Sequence, residues 1–183
     1  VIVTEKMDGE NTTMYQDHFH ARSVDSPNHP SRSWAKNFWG SIAMDIPEKW
    51  RVCAENLYAQ HSIPYEDLSS YLQGFSVWDD KNNCLSWDDT LDWFKLLGIT
   101  PVPVMYDGIY DEQVIKSLHD GKRGSSSEGY VIRLAKSFSY ADFRHSIAKF
   151  VREAHVQTNK HWMRGQPIIP NGVALPGNQK LKM

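Results

Sequence analysis

The chain has 183 residues, of which 40% are hydrophobic and 12% are aromatic, enough for one hydrophobic core and one compact domain. Its formal net charge of −2 gives no overall positive field, so any contact with nucleic acid has to come from local clusters of lysine and arginine. Two cysteines are too few for a disulfide framework and suit a reducing compartment, which predicts a cytoplasmic protein. No segment resembles a secretory signal or a membrane span, so no membrane partner is expected.

The first predicted element is a β-strand that ends at a lysine. The run from Val1 to Glu5 is rich in β-branched residues, Lys6 follows it, and Asp8-Gly9 is typical of a turn. A lysine in this position is expected to point into a cleft, where its amine can act as a nucleophile. Amines attack phosphorus only when neutral, a state that burial, neighbouring cations or a bound metal favour. The glycine would let backbone and phosphate approach closely. On its own, the pattern also fits an ordinary turn preceded by a solvated lysine.

Amphipathic helices and short strands alternate along the next hundred or so residues. Helices are predicted where apolar residues recur at helical spacing or where capping residues occur: Ser33 to Met44, the stretch that opens with the capping box at Ser86 and ends at Gly98, and Asp111 to His119. Strands are predicted where β-branched and aromatic residues cluster: Arg51 to Tyr58, Gly74 to Trp78 and Gly129 to Leu134.

The remaining segments are less regular. Gly121 to Ser127 is predicted to be a flexible loop, and Pro167 to Gly177 an irregular tail. From Ser139 to Arg152 the apolar residues first follow helical spacing and then alternate as in a strand, so the periodicity fits either structure.

Five short blocks follow one another in a fixed order: Lys6 to Asn11, Cys53 to Tyr58, Gly74 to Asp79, Ser127 to Arg133 and Ala148 to Arg152. This series resembles motifs I, III, IIIa, IV and V of the covalent nucleotidyltransferases, the superfamily of ligases and mRNA-capping enzymes. It is most similar to the RNA ligases of the type that seals nicks in duplexes. Asn11, five residues after the lysine, favours RNA ligases over DNA ligases and capping enzymes.

The resemblance implies an α+β fold, a nucleotidyltransferase (ATP-grasp-like ligase adenylylation) domain with antiparallel sheets flanked by helices. The core would span residues 1–152, and residues 153–183 would form a partly irregular C-terminal extension of the same domain. Motif V is a strand in this superfamily, which favours a short helix followed by a strand bearing Lys149. Family members carry residues before the lysine and a further domain after motif V. We therefore expect that the chain is a piece of a longer protein or that the missing parts lie elsewhere.

Under this resemblance Lys6 is the catalytic nucleophile and belongs to a nucleotide-binding set. The members of that set are Glu5, Lys6, Asn11, Arg22, Glu55, Trp78, Glu128 and Lys149. Trp78 would stack on adenine, a contact worth on the order of 1–3 kcal/mol, although one of seven tryptophans is otherwise expected in the core. Glu55 would hold a ribose hydroxyl or a metal-bound water, the alternative being a salt bridge at a strand edge.

A divalent cation, Mg²⁺ or Mn²⁺, is also implied. Glu128 is the first candidate ligand because Mg²⁺ is commonly held by one or two carboxylates together with substrate phosphates, and Glu55 is the second candidate. The alternative for Glu128 is a plain surface charge. Arg22 would contact the nucleotide or the phosphate of the accepting end, the alternative being a surface arginine. Lys149 would supply one motif V cation, and Arg152 is the remaining candidate for the other.

The reaction implied is ATP-dependent RNA ligation. Lys6 would attack ATP to form lysine-AMP, the AMP would pass to an RNA 5′-phosphate, and a 3′-hydroxyl would displace it. Two alternatives remain open: another covalent nucleotidyltransferase, such as a DNA ligase or capping enzyme, and a nucleotide-binding module without turnover. The pairs His18/His20 and His155/His161 lack a cysteine or a compact third ligand, so a zinc site is not expected. The sequence leaves the oligomeric state open.

Overall fold

The computed structural model of the protein describes residues 1–23, 28–119, 127–153 and 167–174. The strands in these segments are β1 (Ile2–Glu5), β2 (Glu10–Met14), β3 (Phe19–Ala21), β4 (Arg51–Asn56), β5 (Leu72–Trp78), β6 (Asn83–Cys84), β7 (Thr100–Pro101), β8 (Val104–Asp107), β9 (Gly129–Arg133), β10 (Phe138–Ser139) and β11 (Ile147–Val151). The helices are α1 (Ser33–Ile42), α2 (Trp87–Leu97), α3 (Glu112–Ser117) and α4 (Phe143–Ser146).

The described strands form two sheets. The first sheet has the order β11-β9-β1-β8 and is antiparallel throughout. The second sheet has the order β10-β6-β5-β4-β2-β3 and is antiparallel as well, except that the short β7 runs parallel to β5. Helices cover the outer faces of the sheets, which confirms the predicted fold class.

Each sheet buries one face against helices. On the second sheet, Met14, Val52 and Val77 form a core cluster with residues of α1 and α2 such as Ile42 and Phe94. On the first sheet, Val3 and Tyr130 pack with Ile115 of α3. Because side chains alternate across a strand, the opposite faces of the two sheets remain available for a site.

The predicted helices are confirmed, and their ends follow from the capping residues. Ser86 Oγ accepts a hydrogen bond from the Asp89 backbone N–H (3.1 Å) and starts α2, and Gly98 ends it in the left-handed conformation (φ 66°). Asp111 caps α3 in the same way, with Oδ1 accepting from two backbone N–H groups. The ambiguous segment resolves into α4 followed by β11, as the family resemblance implied.

The Asp8-Gly9 turn has a different role from a hairpin turn. It leads from β1 in the first sheet to β2 in the second, so it joins the two sheets instead of two neighbouring strands. A Cβ at Gly9 would lie 2.5 Å from the Asn56 carbonyl oxygen, so what approaches the glycine closely is the backbone of β4.

The described part of the predicted tail, residues 167–174, packs onto the loop between β4 and β5. It forms isolated bridges at Ala59/Pro170 and Leu68/Val173, without a regular strand. The loop predicted over Gly121 to Ser127 lies outside the described residues except for Ser127. Among the described residues, no helix is long and apolar enough to cross a membrane.

Candidate active site

The inward faces of the two sheets enclose a pocket of about 930 Å³. The cross-strand register explains its composition: Thr4 of β1 and Lys149 of β11 both lie opposite Val131 of β9, so all three share one face. On the second sheet, Thr13 of β2 lies opposite Cys53 of β4 in the same way. Every member of the predicted nucleotide-binding set lines this pocket: Glu5, Lys6, Asn11, Arg22, Glu55, Trp78, Glu128 and Lys149.

Lys6 is held from both sides by residues that precede or begin β9. Its backbone N–H donates to the Gly129 carbonyl (2.9 Å), and its Nζ donates to Glu128 Oε2 (2.5 Å). The lysine side chain is 25% exposed and the glutamate side chain 7%, so this ion pair lies largely out of solvent. Gly129 has φ 151°, and a Cβ there would overlap the Phe150 carbonyl oxygen, so glycine is required beside the lysine.

Asp8 fixes the turn that follows the lysine. Its Oδ2 accepts hydrogen bonds from the backbone N–H groups of Ser62 and Ile63 (2.8 Å each), and its own N–H donates to the Tyr65 hydroxyl (2.9 Å). The carboxylate therefore ties the turn to the loop between β4 and β5. Burial raises the pKa of the Tyr65 hydroxyl well above its ordinary value, so it stays a neutral acceptor for this bond.

Glu55 is a half-buried acid on the pocket wall. It lies in β4 between β2 and β5, so the alternative of a salt bridge at a strand edge is wrong, and among the described residues it forms no ion pair. Burial raises the pKa of its carboxyl group to about 8; Lys6 opposes this shift and the neighbouring Glu128 adds to it.

Glu128 is 6% exposed, so the alternative of a surface charge is wrong for it. Glu55 and Glu128 approach each other closely enough to raise the cost of ionising Glu55. A divalent cation would relieve this repulsion, and carboxylates are among the oxygen ligands that Mg²⁺ binds. The residues therefore fit the predicted cation, although the described residues contain no group of three or more metal-binding side chains.

Two aromatic side chains line the pocket from β5. Trp78 is 4% exposed, its Nε1 donates to Ser76 Oγ (3.0 Å), and the Arg51 guanidinium lies over its ring at 4.6 Å. It is therefore both a core residue and a pocket residue. Phe75 is more accessible and was not predicted. It lies at a β-bulge, because Cys53 faces Ser76 while Ala54 faces Gly74, which leaves Phe75 without a partner.

Four basic side chains line the pocket besides Lys6. Arg22 and Lys149 are exposed and have no hydrogen-bond or ion-pair partner among the described residues. Arg133 is buried and donates to the carbonyls of Leu85 (2.6 Å) and Phe75 (3.5 Å). It therefore links β9 to the second sheet and provides a hydrogen-bond donor for the Phe75 carbonyl at the bulge. The fourth, Arg51, lies over Trp78.

Arg152 does not line the pocket, in contrast to its candidacy as a second motif V cation. Its Nε donates to the Ser127 carbonyl (2.8 Å) and its N–H donates to the Glu128 carbonyl (3.0 Å). It therefore holds the backbone on either side of the buried glutamate. His155 and His161 lie outside the described residues.

Sequence reasoning missed Arg51, Phe75 and Arg133. Strand periodicity held the signal for two of them, since Arg51 is two residues from Cys53 and Arg133 is two residues from Val131, and alternate residues share a face. No comparable signal marks Phe75, because a bulge interrupts the alternation at that position.

A family model of the RNA ligases matches residues 1–151. Among solved structures, the chain is similar to a putative ATP-dependent DNA ligase from Aquifex aeolicus, with 19% identity and a TM-score of 0.56 over 82% of this chain and 43% of that one. It is also similar to an archaeal ATP-dependent RNA ligase, with 15% identity and a TM-score of 0.52 over 82% of this chain and 42% of that one.

At these identities the structural neighbours show the fold alone, and the chain spans less than half of their length. No curated protein matches the sequence. The family match covers all five motifs except the last residue of the fifth, including the lysine, the buried glutamate that pairs with it and the strand bearing Lys149. The chain belongs to the RNA ligase family.

Proposed function

We propose that the protein is an ATP-dependent RNA ligase that joins an RNA 5′-phosphate to a 3′-hydroxyl through a lysine-AMP intermediate. The observation that carries the proposal is the position of Lys6 in a pocket large enough for a nucleotide, paired with the buried Glu128, with four further basic side chains lining the same pocket. Cys53 and Cys84 are free thiols, which supports the further proposal of a cytoplasmic location.

In the first step, the neutral amine of Lys6 attacks the α-phosphorus of ATP: a P–N bond forms, the P–O bond to pyrophosphate breaks, and the proton released from the nitrogen passes to water. Because Nζ donates to Glu128 in the free protein, this ion pair has to open before the amine can attack. The exposed cations Arg22 and Lys149 line the pocket and would neutralise phosphate charge as it develops.

In the second step, the AMP passes from Lys6 to the 5′-phosphate of RNA, which frees the lysine. In the third step, the 3′-hydroxyl attacks that phosphorus and AMP leaves. A bound Mg²⁺ would supply further neutralisation of phosphate charge, and Glu55 and Glu128 are the carboxylates that would hold it. The protein contributes mainly by positioning the reacting groups.

The proposal is tested by incubating the protein with α-labelled ATP and Mg²⁺ and measuring the label that remains on the denatured chain. We expect label on the wild type and none on Lys6→Ala. Lys136→Ala is the matched control, since Lys136 is exposed and does not line the pocket; it should label normally. Label on Lys6→Ala at the wild-type level would refute the assignment.

The same assay separates the neighbouring activities. Labelled GTP in place of ATP tests a capping-type reaction, and nicked DNA in place of RNA tests a DNA ligase. We expect labelling by ATP alone and joining of RNA in preference to DNA.

A further inference from the structure

The hairpin of β2 and β3 carries three neighbouring aromatic rings on one surface. The Tyr15 N–H donates to the His18 carbonyl (2.8 Å) and closes a tight turn over residues 16–17. The Tyr15 and His18 rings stack at 4.1 Å with an interplanar angle of 13°, and the His20 ring lies 6.0 Å from each of them, tilted by 29° and 16°. We call these three residues, Tyr15, His18 and His20, the aromatic ledge.

The ledge lies on the same face of the second sheet as the pocket. His20 is paired with Thr13, which lines the pocket, and Tyr15 follows Thr13 by two residues, directly after the end of β2. The neighbouring residues Met14 and Phe19 point the other way and pack in the core with α1. The ledge therefore continues the pocket surface to the edge of the sheet.

The ledge meets no evident structural need. The His18 side chain is 52% exposed, Tyr15 and His20 are half-buried, and Tyr15 belongs to none of the hydrophobic core clusters of the described residues. The two histidines are held locally, His18 Nδ1 by Asp17 Oδ1 (2.6 Å) and His20 Nδ1 by the Ala21 carbonyl (2.6 Å). The described residues supply no third metal ligand beside them, so zinc does not explain the pair.

We propose that the aromatic ledge stacks unpaired bases of the RNA strand whose end reacts at Lys6. Parallel aromatic rings receive bases of any sequence, because every base has a π face, and each stacked base contributes on the order of 1–3 kcal/mol. Arg22 follows His20 by two residues, just past the end of β3, and lines the pocket, so a cation for the backbone phosphate is available beside the ledge. This inference rests on the proposed function.

The ledge has a consequence for the substrate. A base inside a continuous helix is already stacked on both faces and has to leave the helix before it can stack on a protein ring, so a fully paired nick gains nothing from these rings. We infer that the enzyme favours RNA ends with unpaired nucleotides beside the junction over nicks in a continuous duplex.

The test is the affinity of the full chain for a short 5′-phosphorylated single-stranded RNA and for a blunt duplex of the same sequence, measured by fluorescence anisotropy. We expect His18→Ala to weaken single-strand binding by about fivefold or more, the low end of the stacking contribution. His18→Phe, which keeps a ring, should restore most of the affinity. His145→Ala, an exposed histidine that does not line the pocket, should leave it unchanged.

Unchanged single-strand affinity in both His18→Ala and Tyr15→Ala would contradict the proposed stacking. An equal loss of affinity for the blunt duplex would contradict it as well, because it would indicate a phosphate contact without stacking. Self-labelling with ATP in the same preparations separates this result from the proposed function. If the wild type does not label yet His18→Ala loses RNA affinity, the ligase assignment fails and the ledge stands. If the wild type is labelled by ATP and the affinity for RNA is the same with and without the His18 ring, only the proposed role of the ledge is wrong.

Discussion

Glu55 is the acid on the pocket wall whose ionisation opposes folding. Its pKa rises from 4.5 to about 8 on folding because of burial, so between these values the folded chain binds more protons than the unfolded chain. Stability therefore falls as the pH rises from 4.5 through about 8. Glu55→Gln lacks this proton and should gain stability relative to wild type over that range, by at least about 1 kcal/mol or about 2–4 °C in Tm.

The measurement is a set of thermal melts without nucleotide or metal from pH 5 to about 9. The exposed Glu48→Gln should run parallel to wild type throughout. A constant difference between Glu55→Gln and wild type across the series would mean that the carboxyl group is already ionised at low pH.

Phe75 and Trp78 offer the nucleotide two aromatic surfaces, and their burial separates their effects. Trp78 packs against Phe138 and under Arg51, so Trp78→Ala should lose about 3–5 kcal/mol of stability. Phe75 is more exposed at its bulge, so Phe75→Ala should keep most of the stability and weaken ATP binding by about fivefold or more. The stability of both variants is measured by urea unfolding, and their affinity for ATP is measured by titration. A Phe75→Ala variant with wild-type affinity for ATP would indicate that the base stacks on Trp78 instead.

Residues 167–174 pack onto the loop between β4 and β5 mainly through Asn171, which is 3% exposed. We call this segment the clamp. Asn171 Oδ1 accepts from the Tyr65 N–H (2.9 Å) and its Nδ2 donates to the Leu57 carbonyl (2.7 Å), in the loop whose Tyr65 hydroxyl accepts from Asp8. Asn171→Ala would leave buried backbone groups unpaired, at a cost of about 2–4 kcal/mol. It should also slow lysine-AMP formation through the loosened turn at Asp8.

Urea unfolding and labelling rates at a temperature where the variant stays folded test this prediction. The exposed helical Asn37→Ala is the control and should change neither quantity. A loss of stability with an unchanged labelling rate would mean that Asn171 supports the fold but does not affect the reaction at Lys6.

Elements with local signals could be predicted, and those fixed by distant partners could not. The α2 helix carries its own start at Ser86 and its own stop at Gly98, so its bounds follow from neighbouring residues. Residues 167–174 appear irregular in sequence because their order comes from Asn171 bonding to a loop more than a hundred residues earlier. The separation of β1 and β2 into different sheets also depends on distant strands, and the Asp-Gly turn between them resembles any other.

At the scale of the whole molecule, the net charge of −2 conceals a concentration of basic side chains at the pocket. Lys6, Arg22, Arg51, Arg133 and Lys149 all line it, beside the acidic Glu5, Asp8, Glu55 and Glu128. The proposed lysine-AMP formation would use only this local positive charge, whereas holding an RNA strand requires many phosphates to be neutralised. We expect efficient self-labelling and weak joining of nicked RNA, with joining falling steeply as salt rises. Self-labelling and nick joining are measured side by side over a series of salt concentrations. Efficient joining that does not change with salt would contradict the prediction.

The pairing of Lys6 with Glu128 joins residues separated by 122 positions, and β1 reaches its partners only when β8 and β9 are present. Contacts so distant along the chain form slowly, because a long loop has to close before they contribute. During synthesis the lysine emerges before the strands that complete its pocket, while β2, β4 and β5 can already pair with one another. The pocket, and with it the proposed nucleotide site, cannot form until the chain through Val151 has left the ribosome and β11 has paired with β9.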